Sequence, residues 1–346
     1  MGRPAHLCNR ERSLSAAFLI PPSRARGYGG RAVVKRLLLA SPRGYCAGVE
    51  RAVETVERAL ALYGSPVYVR KQIVHNSHVV EDLRSRGAVF VDTLVDVPDG
   101  ATVVFSAHGI APAVRREAKE LRLTTIDATC PLVTKVHAQA RRYAEAGYAL
   151  VLIGHAGHEE VEGTLGEAPD AIVLVQSAED AERVSLPADR PLAYLTQTTL
   201  SVDEAGEIVA VLRRRFPRIQ GPAREDICYA TSNRQWAVKE LLREIDLLLV
   251  IGSPNSSNSQ RLVDVARADG TSAHLVDDVG GIDESWLEGC ESVGLTSGAS
   301  APERLVADVC AWFAARGAEV HELEPVHEDV SFKLPVELRR AERAAA

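Results

Sequence analysis

Hydrophobic positions along this chain fall into short apolar runs separated by stretches with helical spacing. The runs RLLLA (36–40), PVYVR (66–70), TVVFSA (102–107), ALVLIG (149–154), AIVLV (171–175), LAYLT (192–196), LLLVIG (247–252) and SVGLTS (292–297) read as strands. Between them, residues 49–63, 112–121, 131–146, 203–215, 233–244 and 257–269 carry apolar residues at helical intervals. Strands alternating with amphipathic helices predict an α/β protein. Gly and Ser cluster at the strand ends, where open α/β sheets bind ligands. No apolar run approaches the roughly 20 residues that a bilayer-spanning helix needs, so no membrane association is expected.

Three stretches repeat one arrangement. RLLLASPRGYCAGVERAVETVERAL runs strand, turn, Cys46, helix; LTTIDATCPLVTKVHAQARRYAEAG runs short strand, turn, Cys130, helix; REDICYATSNRQWAVKELLREID sets Cys228 before a helix. The thiols lie 84 and 98 residues apart, about one small α/β domain each. This predicts three small α/β domains in pseudo-threefold arrangement around a centre. The expected bounds are 33–130 with Cys46, 131–224, and 225–330 with Cys228, followed by a tail over 331–346. Thiols near helix N-termini meet free N–H groups and the positive end of the helix dipole, which favours thiolate. Zinc would call for a fourth ligand and close CxxC pairs, and neither is present. Three thiolates from three domains suit an iron–sulfur cluster with one iron left open to substrate, although protein clusters usually have four Cys. Cys290 before a strand and Cys310 on a helix read as core, and Cys8 as tail.

Composition adds limits. The 346 residues are 46% hydrophobic and 25% charged, as in ordinary globular proteins, and the formal charge of −7 argues against nucleic acid as a partner. Six widely spaced cysteines do not resemble a secreted cystine framework, which favours a reducing, cytoplasmic setting. Residues 1–32 differ, with six Arg, one Glu and a Pro-Pro pair. They read as a disordered or mis-called N-terminal extension. Met1 is the sole methionine, so a true start at Val33 or Val34 would appear here as an internal valine.

The loops carry VHNSH with His75, FSAHG with His108, GHAGHEEVEGT with His155, His158 and Glu160, TQTTLS with Thr198, GSPNSSNSQRL with Ser256, Ser257 and Asn258, and TSGASAPE with Ser300. Taken singly, such residues cap helices or face solvent. Together they offer hydroxyl, amide and imidazole donors at helix N-termini with almost no Lys or Arg. That combination suits a diphosphate.

PRGYCAGVERA, IVHNSHVV, FSAHG, DATCPLVTKVH, GHAGHEEVEGT, TQTTLS, ICYATSNRQ, NSSNSQRL and SGASAPE closely resemble, in this order, the motifs of the 4-hydroxy-3-methylbut-2-enyl diphosphate reductase family. The resemblance runs from about Val34 to Leu338, including a closing FKLPVEL. It implies a [4Fe-4S] cluster held by Cys46, Cys130 and Cys228, with one open iron site. It implies that His75, His108 and His158 line the diphosphate and substrate pocket. Ser256, Ser257, Asn258 and Ser300 then bind diphosphate oxygens, Thr198 lies near the substrate hydroxyl, and Glu160 is the proton source. The implied reaction is reductive dehydroxylation to isopentenyl and dimethylallyl diphosphate, the last step of the methylerythritol phosphate pathway. Electrons would come from ferredoxin or flavodoxin. No GxGxxG lies between a strand and a helix to suggest a hydride cofactor. Ala47 matches the common bacterial form. Glu159 departs from the family pattern, where a non-acidic residue usually stands, and is expected to be exposed and silent. The alternative reading is a non-enzymatic iron–sulfur sensor of a phosphorylated ligand, which would not need Glu160.

Overall fold

The structure, a computed structural model, describes residues 34–323, 326 and 328–345, so the expectations for residues 1–32 lie outside the described residues. Three parallel sheets organise the chain. The five-stranded sheet has the order β10 (Ser272–Val276), β9 (Leu247–Ile251), β11 (Ser292–Ser297), β1 (Arg36–Leu39) and β12 (Glu319–Glu322). The four-stranded sheet runs β3 (Ala88–Val91), β2 (Val67–Arg70), β4 (Thr102–Phe105) and β5 (Thr124–Asp127). The three-stranded sheet runs β7 (Ile172–Val175), β6 (Ala149–Ile153) and β8 (Leu192–Thr196). Central strands such as β6 and β9 are buried along their whole length, as parallel strands covered by helices on both faces must be.

Three helices carry the chain from one sheet to the next. After β1, helix α1 (Ala47–Tyr63) packs Ala52, Val56 and Ala59 on Val67, Val69 and Val104 of the four-stranded sheet. After β5, helix α4 (Pro131–Glu145) packs Val136 and Ala140 on Leu150, Leu152 and Leu195 of the three-stranded sheet. Helix α8 (Tyr229–Leu241) then returns, packing Ala237, Val238 and Leu241 on Leu38, Leu248 and Val250 of the five-stranded sheet. The N-cap residues of these crossing helices are Cys46, Cys130 and Cys228. Helices α2 (Ser77–Ser85), α3 (Pro112–Glu120), α5 (Glu159–Leu165), α6 (Ala178–Arg183), α7 (Val202–Arg215), α9 (Ser257–Ala268) and α10 (Glu303–Ala314) complete the layers.

A cation on each crossing helix reaches the segment that leads into the next cysteine. Arg51 of α1 donates to the carbonyls of Ala128 (2.9 Å) and Thr129 (3.1 Å) before Cys130. Lys135 of α4 donates to the carbonyls of Arg224 (2.9 Å) and Glu225 (2.7 Å) and pairs with Asp226 (3.1 Å) before Cys228. Arg234 of α8, fully buried, donates to the carbonyl of Gly44 (2.9 Å) before Cys46. The three contacts close a ring.

One expected bound needs correction. Residues 33–130 do not form one unit, because β1 is inserted between β11 and β12 of the five-stranded sheet, with Leu37 in register with Val293 and Val320. The tail expected over 331–346 also packs on the body within its described residues. Its helix α11 (Val336–Ala345) places Leu338, with no exposed surface, in the core beneath α1 and the four-stranded sheet. The apolar pattern reveals neither, since a four-residue run does not say which sheet it joins.

Leu338→Ala should therefore lower unfolding free energy by about 2–5 kcal/mol in a denaturant titration, the usual cost of a truncated core leucine. Lys135→Met removes donors from two carbonyls and leaves Asp226, whose side chain has 0% exposure, without its cation. It should cost about 3 kcal/mol in the same titration, as expected for a buried carboxylate deprived of its partner.

Candidate active site

The ends of all three sheets meet at one pocket, and the cysteines reach it in equivalent ways. The amide of Cys46 donates to the carbonyl of Ala299 (3.2 Å), that of Cys130 to Ala107 (2.9 Å), and that of Cys228 to Thr198 (3.1 Å). Each acceptor stands two residues past the end of a strand, β11, β4 and β8 respectively. The loops that carry the pocket residues are thus tied to the cysteines through the backbone. Gly48 makes the close approach possible: a Cβ there would lie 2.7 Å from the Cys130 sulfur and 3.7 Å from that of Cys46. At Cys228 the sulfur accepts the Thr231 amide (3.4 Å) and lies 3.2 Å from its hydroxyl.

Helix N-termini favour thiolate, but here burial prevails. It pushes the Cys130 thiol up to about 12 and the Cys228 thiol up to about 11, and the neighbouring Cys46 adds repulsion in both cases. Amide hydrogen bonds act in the opposite direction and are the smaller effect. Thiols such as Cys130 and Cys228, raised in this way beside a third cysteine, are suited to a cationic metal group, since bound metal charge inverts the local balance and deprotonates a coordinating thiol. No other cysteine lines the pocket among the described residues, so the donor set fits an iron–sulfur group held by three thiolates.

The pocket has a cavity volume of about 90 Å³. Every residue given a role by the family resemblance lines it: Cys46, Cys130, Cys228, His75, His108, His158, Glu160, Thr198, Ser256, Ser257, Asn258 and Ser300. Among the described residues, no Lys or Arg does. His155 does not line it; its ring pairs with Glu204 at 3.6 Å. His75 and His108 stack with ring centroids 4.0 Å apart, and His158 meets both edge-on. Burial, then the two neighbouring imidazoles, drives the His75 pKa down to about 2, so the unliganded pocket holds that ring neutral. Burial is also the leading cause that lowers His158, whose Nδ1 accepts the Glu160 amide at 3.1 Å.

Glu160, in the first turn of α5, is 6% exposed. Its carboxylate accepts the Thr198 amide (2.9 Å) and the Thr198 hydroxyl (2.8 Å). Glu159, expected to be exposed, is not. Its side chain is only 17% accessible and accepts from the Ser106 hydroxyl (3.2 Å) and the Nδ1 of His108 (3.1 Å). These donors outweigh burial and lower its pKa.

The hydroxyl and amide groups are already partly engaged. Ser256 caps α9 by accepting the Ser259 amide at 3.3 Å, and Ser300 donates to the His75 carbonyl at 2.9 Å. Asn258 accepts the Ala299 amide (2.8 Å) and donates to the Thr231 hydroxyl (3.3 Å), which itself faces the Cys228 sulfur. It connects the Ser300 loop to a cysteine.

Several residues of the site escape sequence reasoning. Gly48 carries a signal, a glycine in the first turn of a helix where its propensity is poor. Thr231, three residues after an N-cap, matches a capping partner more than a site. Phe332 of the closing FKLPVEL also lines the pocket. His137 sits beneath it, 3% exposed, with Nδ1 2.8 Å from Glu167. A Cβ on Gly109 or Gly163 would approach that ring to 3.0 Å, so two glycines let His137 support both the His108 loop and the Glu160 helix.

Known proteins share these features. The family model described as LytB protein matches residues 37–314. A 4-hydroxy-3-methylbut-2-enyl diphosphate reductase of Acidothermus cellulolyticus is 59% identical over 312 residues, covering 90% of this chain and 92% of the relative. Its namesake in Nocardia farcinica is 54% identical over 336 residues, covering 95% of this chain and 100% of the relative. The solved structure of E-1-hydroxy-2-methyl-but-2-enyl-4-diphosphate reductase from Plasmodium falciparum aligns with a TM-score of 0.88 at 39% identity, covering 90% of this chain and 99% of that one. With three cysteines converging on a pocket of neutral donors and a buried glutamate, in a chain matched over most of its length, this protein belongs to the LytB family.

Proposed function

We propose that the chain is the reductase of 4-hydroxy-3-methylbut-2-enyl diphosphate, yielding isopentenyl and dimethylallyl diphosphate in the terminal step of the methylerythritol phosphate pathway. The observation that carries the reading is the Glu160–Thr198 pair, at 2.8 Å, in one pocket with three cysteines and an array of uncharged donors. A sensor would have no use for a buried acid bonded twice to its neighbour. The reaction takes up two electrons and two protons: the allylic C–O bond breaks, the hydroxyl leaves as water, and the allyl carbon gains hydrogen at either end.

Cys46, Cys130 and Cys228 would hold a [4Fe-4S] cluster with one open iron site. When bound, that group supplies a Lewis acid for the hydroxyl oxygen and a route for single electrons. The chain's own residues do the rest. Ser256, Ser257, Asn258 and Ser300, with the three histidines, hold the diphosphate and fix the hydroxyl end toward the cysteines. Thr198 accepts from the substrate hydroxyl or donates to it, and Glu160 behind it delivers the proton that leaves with water. Leu132, Val133 and Phe332 on the pocket wall exclude bulk water from the reacting carbon. A ferredoxin or flavodoxin is the proposed one-electron donor. A cytoplasmic location is likewise proposed; no helix among the described residues is long and apolar enough to cross a membrane.

Cys46→Ser, Cys130→Ser or Cys228→Ser should abolish the brown cluster absorbance and turnover in anaerobically purified protein, because a hydroxyl is a poor substitute for thiolate on iron. Cys290→Ser and Cys310→Ser should retain both, since neither residue lines the pocket. Gly48→Ala should lose cluster iron while keeping all three cysteines, because its methyl would occupy the space of the Cys130 sulfur. A full iron complement in Gly48→Ala would show that this close approach does not limit the site.

Glu160→Gln keeps the acceptor for Thr198 but cannot deliver a proton. Turnover with reduced viologen should fall by at least about 100-fold, the lower range for general acid catalysis, with substrate affinity nearly unchanged. Retained turnover would assign the proton to water or substrate.

A further inference from the structure

We infer that Glu159 is a positioning residue for the diphosphate: it holds His108 so that the ring presents a charged Nε2–H donor to the anion. The inference rests on the diphosphate reading of the pocket and gives a role to a residue that the sequence marks as silent.

The geometry is specific to one histidine. The Glu159 carboxylate lies 3.1 Å from Nδ1 of His108, and the Ser106 hydroxyl fixes the same carboxylate oxygen from 3.2 Å. The His108 and Glu159 side chains are only 11% and 17% exposed, so solvent screens the pair weakly. With Nδ1 committed to the carboxylate, Nε2 on the far side of the ring is the nitrogen left for a ligand. A neutral ring protonated at Nδ1 offers only a lone pair there, which opposes a phosphate oxygen. A carboxylate partner favours the second proton and converts Nε2 into a charge-assisted donor.

The other pocket groups cannot supply that charge as readily. His158 uses Nδ1 as an acceptor from the Glu160 amide, and burial disfavours its protonation. His75 stacks on His108 at 4.0 Å, so a proton on one ring repels a proton on the other. No Lys or Arg lines the pocket among the described residues. The groups around His108 are His75 on the segment before α2, His158 with Glu159 and Glu160 at the start of α5, and His137 of α4 beneath Gly109, itself paired with Glu167. Lys71 acts on Glu159 from a greater distance. Among the described residues, only Glu159 places a carboxylate on the ring of His108.

The sign of the effect makes the idea testable. A carboxylate near a diphosphate would ordinarily repel it, so removing the charge should tighten binding unless the carboxylate works through His108. Inorganic pyrophosphate is titrated calorimetrically into anaerobically purified holoprotein at about pH 8 and about pH 6, either side of the ordinary histidine pKa of roughly 6.5. Glu159→Gln and Glu159→Ala should bind pyrophosphate roughly tenfold more weakly at the higher pH, the scale of one charge-assisted hydrogen bond. The deficit should shrink at the lower pH, where a carboxylate partner matters less to an imidazole donor. KM for the allylic diphosphate should rise with kcat nearly unchanged, and Glu159→Asp should recover part of the affinity. Equal or tighter pyrophosphate binding by both variants at about pH 8, with wild-type protein binding and turning over normally, would overturn the inference alone. Wild-type holoprotein that neither binds pyrophosphate nor turns over the allylic diphosphate would overturn the diphosphate reading, and the inference with it.

Discussion

The structure depends on bringing three helix N-termini to one point. Each of those termini is a place where the chain leaves one sheet and enters the helix that covers the next. A cysteine at each N-cap thus sits on a seam between two hydrophobic cores, and no single sheet could orient all three. Two devices hold the seams. Each cysteine amide bonds to a carbonyl two residues beyond a strand end, and each crossing helix sends Arg51, Lys135 or Arg234 to the segment preceding the next cysteine. The ring closes only because β1 lies in the same sheet as β9 to β12. That insertion couples the first described strand to the last third of the chain.

Much of this is legible in the sequence, and what is illegible has physical causes. The strands that the apolar pattern reveals include β6 and β9, whose faces are both covered and whose residues are therefore uniformly apolar. The strands it does not reveal, β3, β10 and β12, are all sheet edges. An edge strand such as Glu319–Glu322, with every residue exposed, carries no hydrophobic signal. The short helices α5 and α6 escape notice because so few turns do not establish a period. The cysteines, the histidines and Glu160 stand out because chemistry-bearing residues cluster at helix starts. Gly48, Thr231 and His137 do not, since their work is to shape space or hold neighbours. The exposure expected of Glu159 is misread because sequence gives one of two adjacent acids no address. Only the fold shows Glu159 turned toward His108 while Glu160 turns toward Thr198.

The absence of Lys and Arg from the pocket lining, among the described residues, follows from the same placement of charge. A lysine would be the simplest partner for a diphosphate. Within reach of Glu160 it would also compete with Thr198 for that carboxylate. Beside the cysteines it would pair with thiolate and compete with metal. Hydroxyls, amides and helix N–H groups bind anions without either consequence. Histidine goes further, because it carries positive charge only when an anion or a carboxylate favours it. Burial and neighbouring imidazoles keep His75 and His158 from protonating readily, and in the proposed function a diphosphate would offset that cost. In the proposed reaction, charge would then appear at the binding end only with substrate, leaving Glu160 and Thr198 to serve the departing hydroxyl.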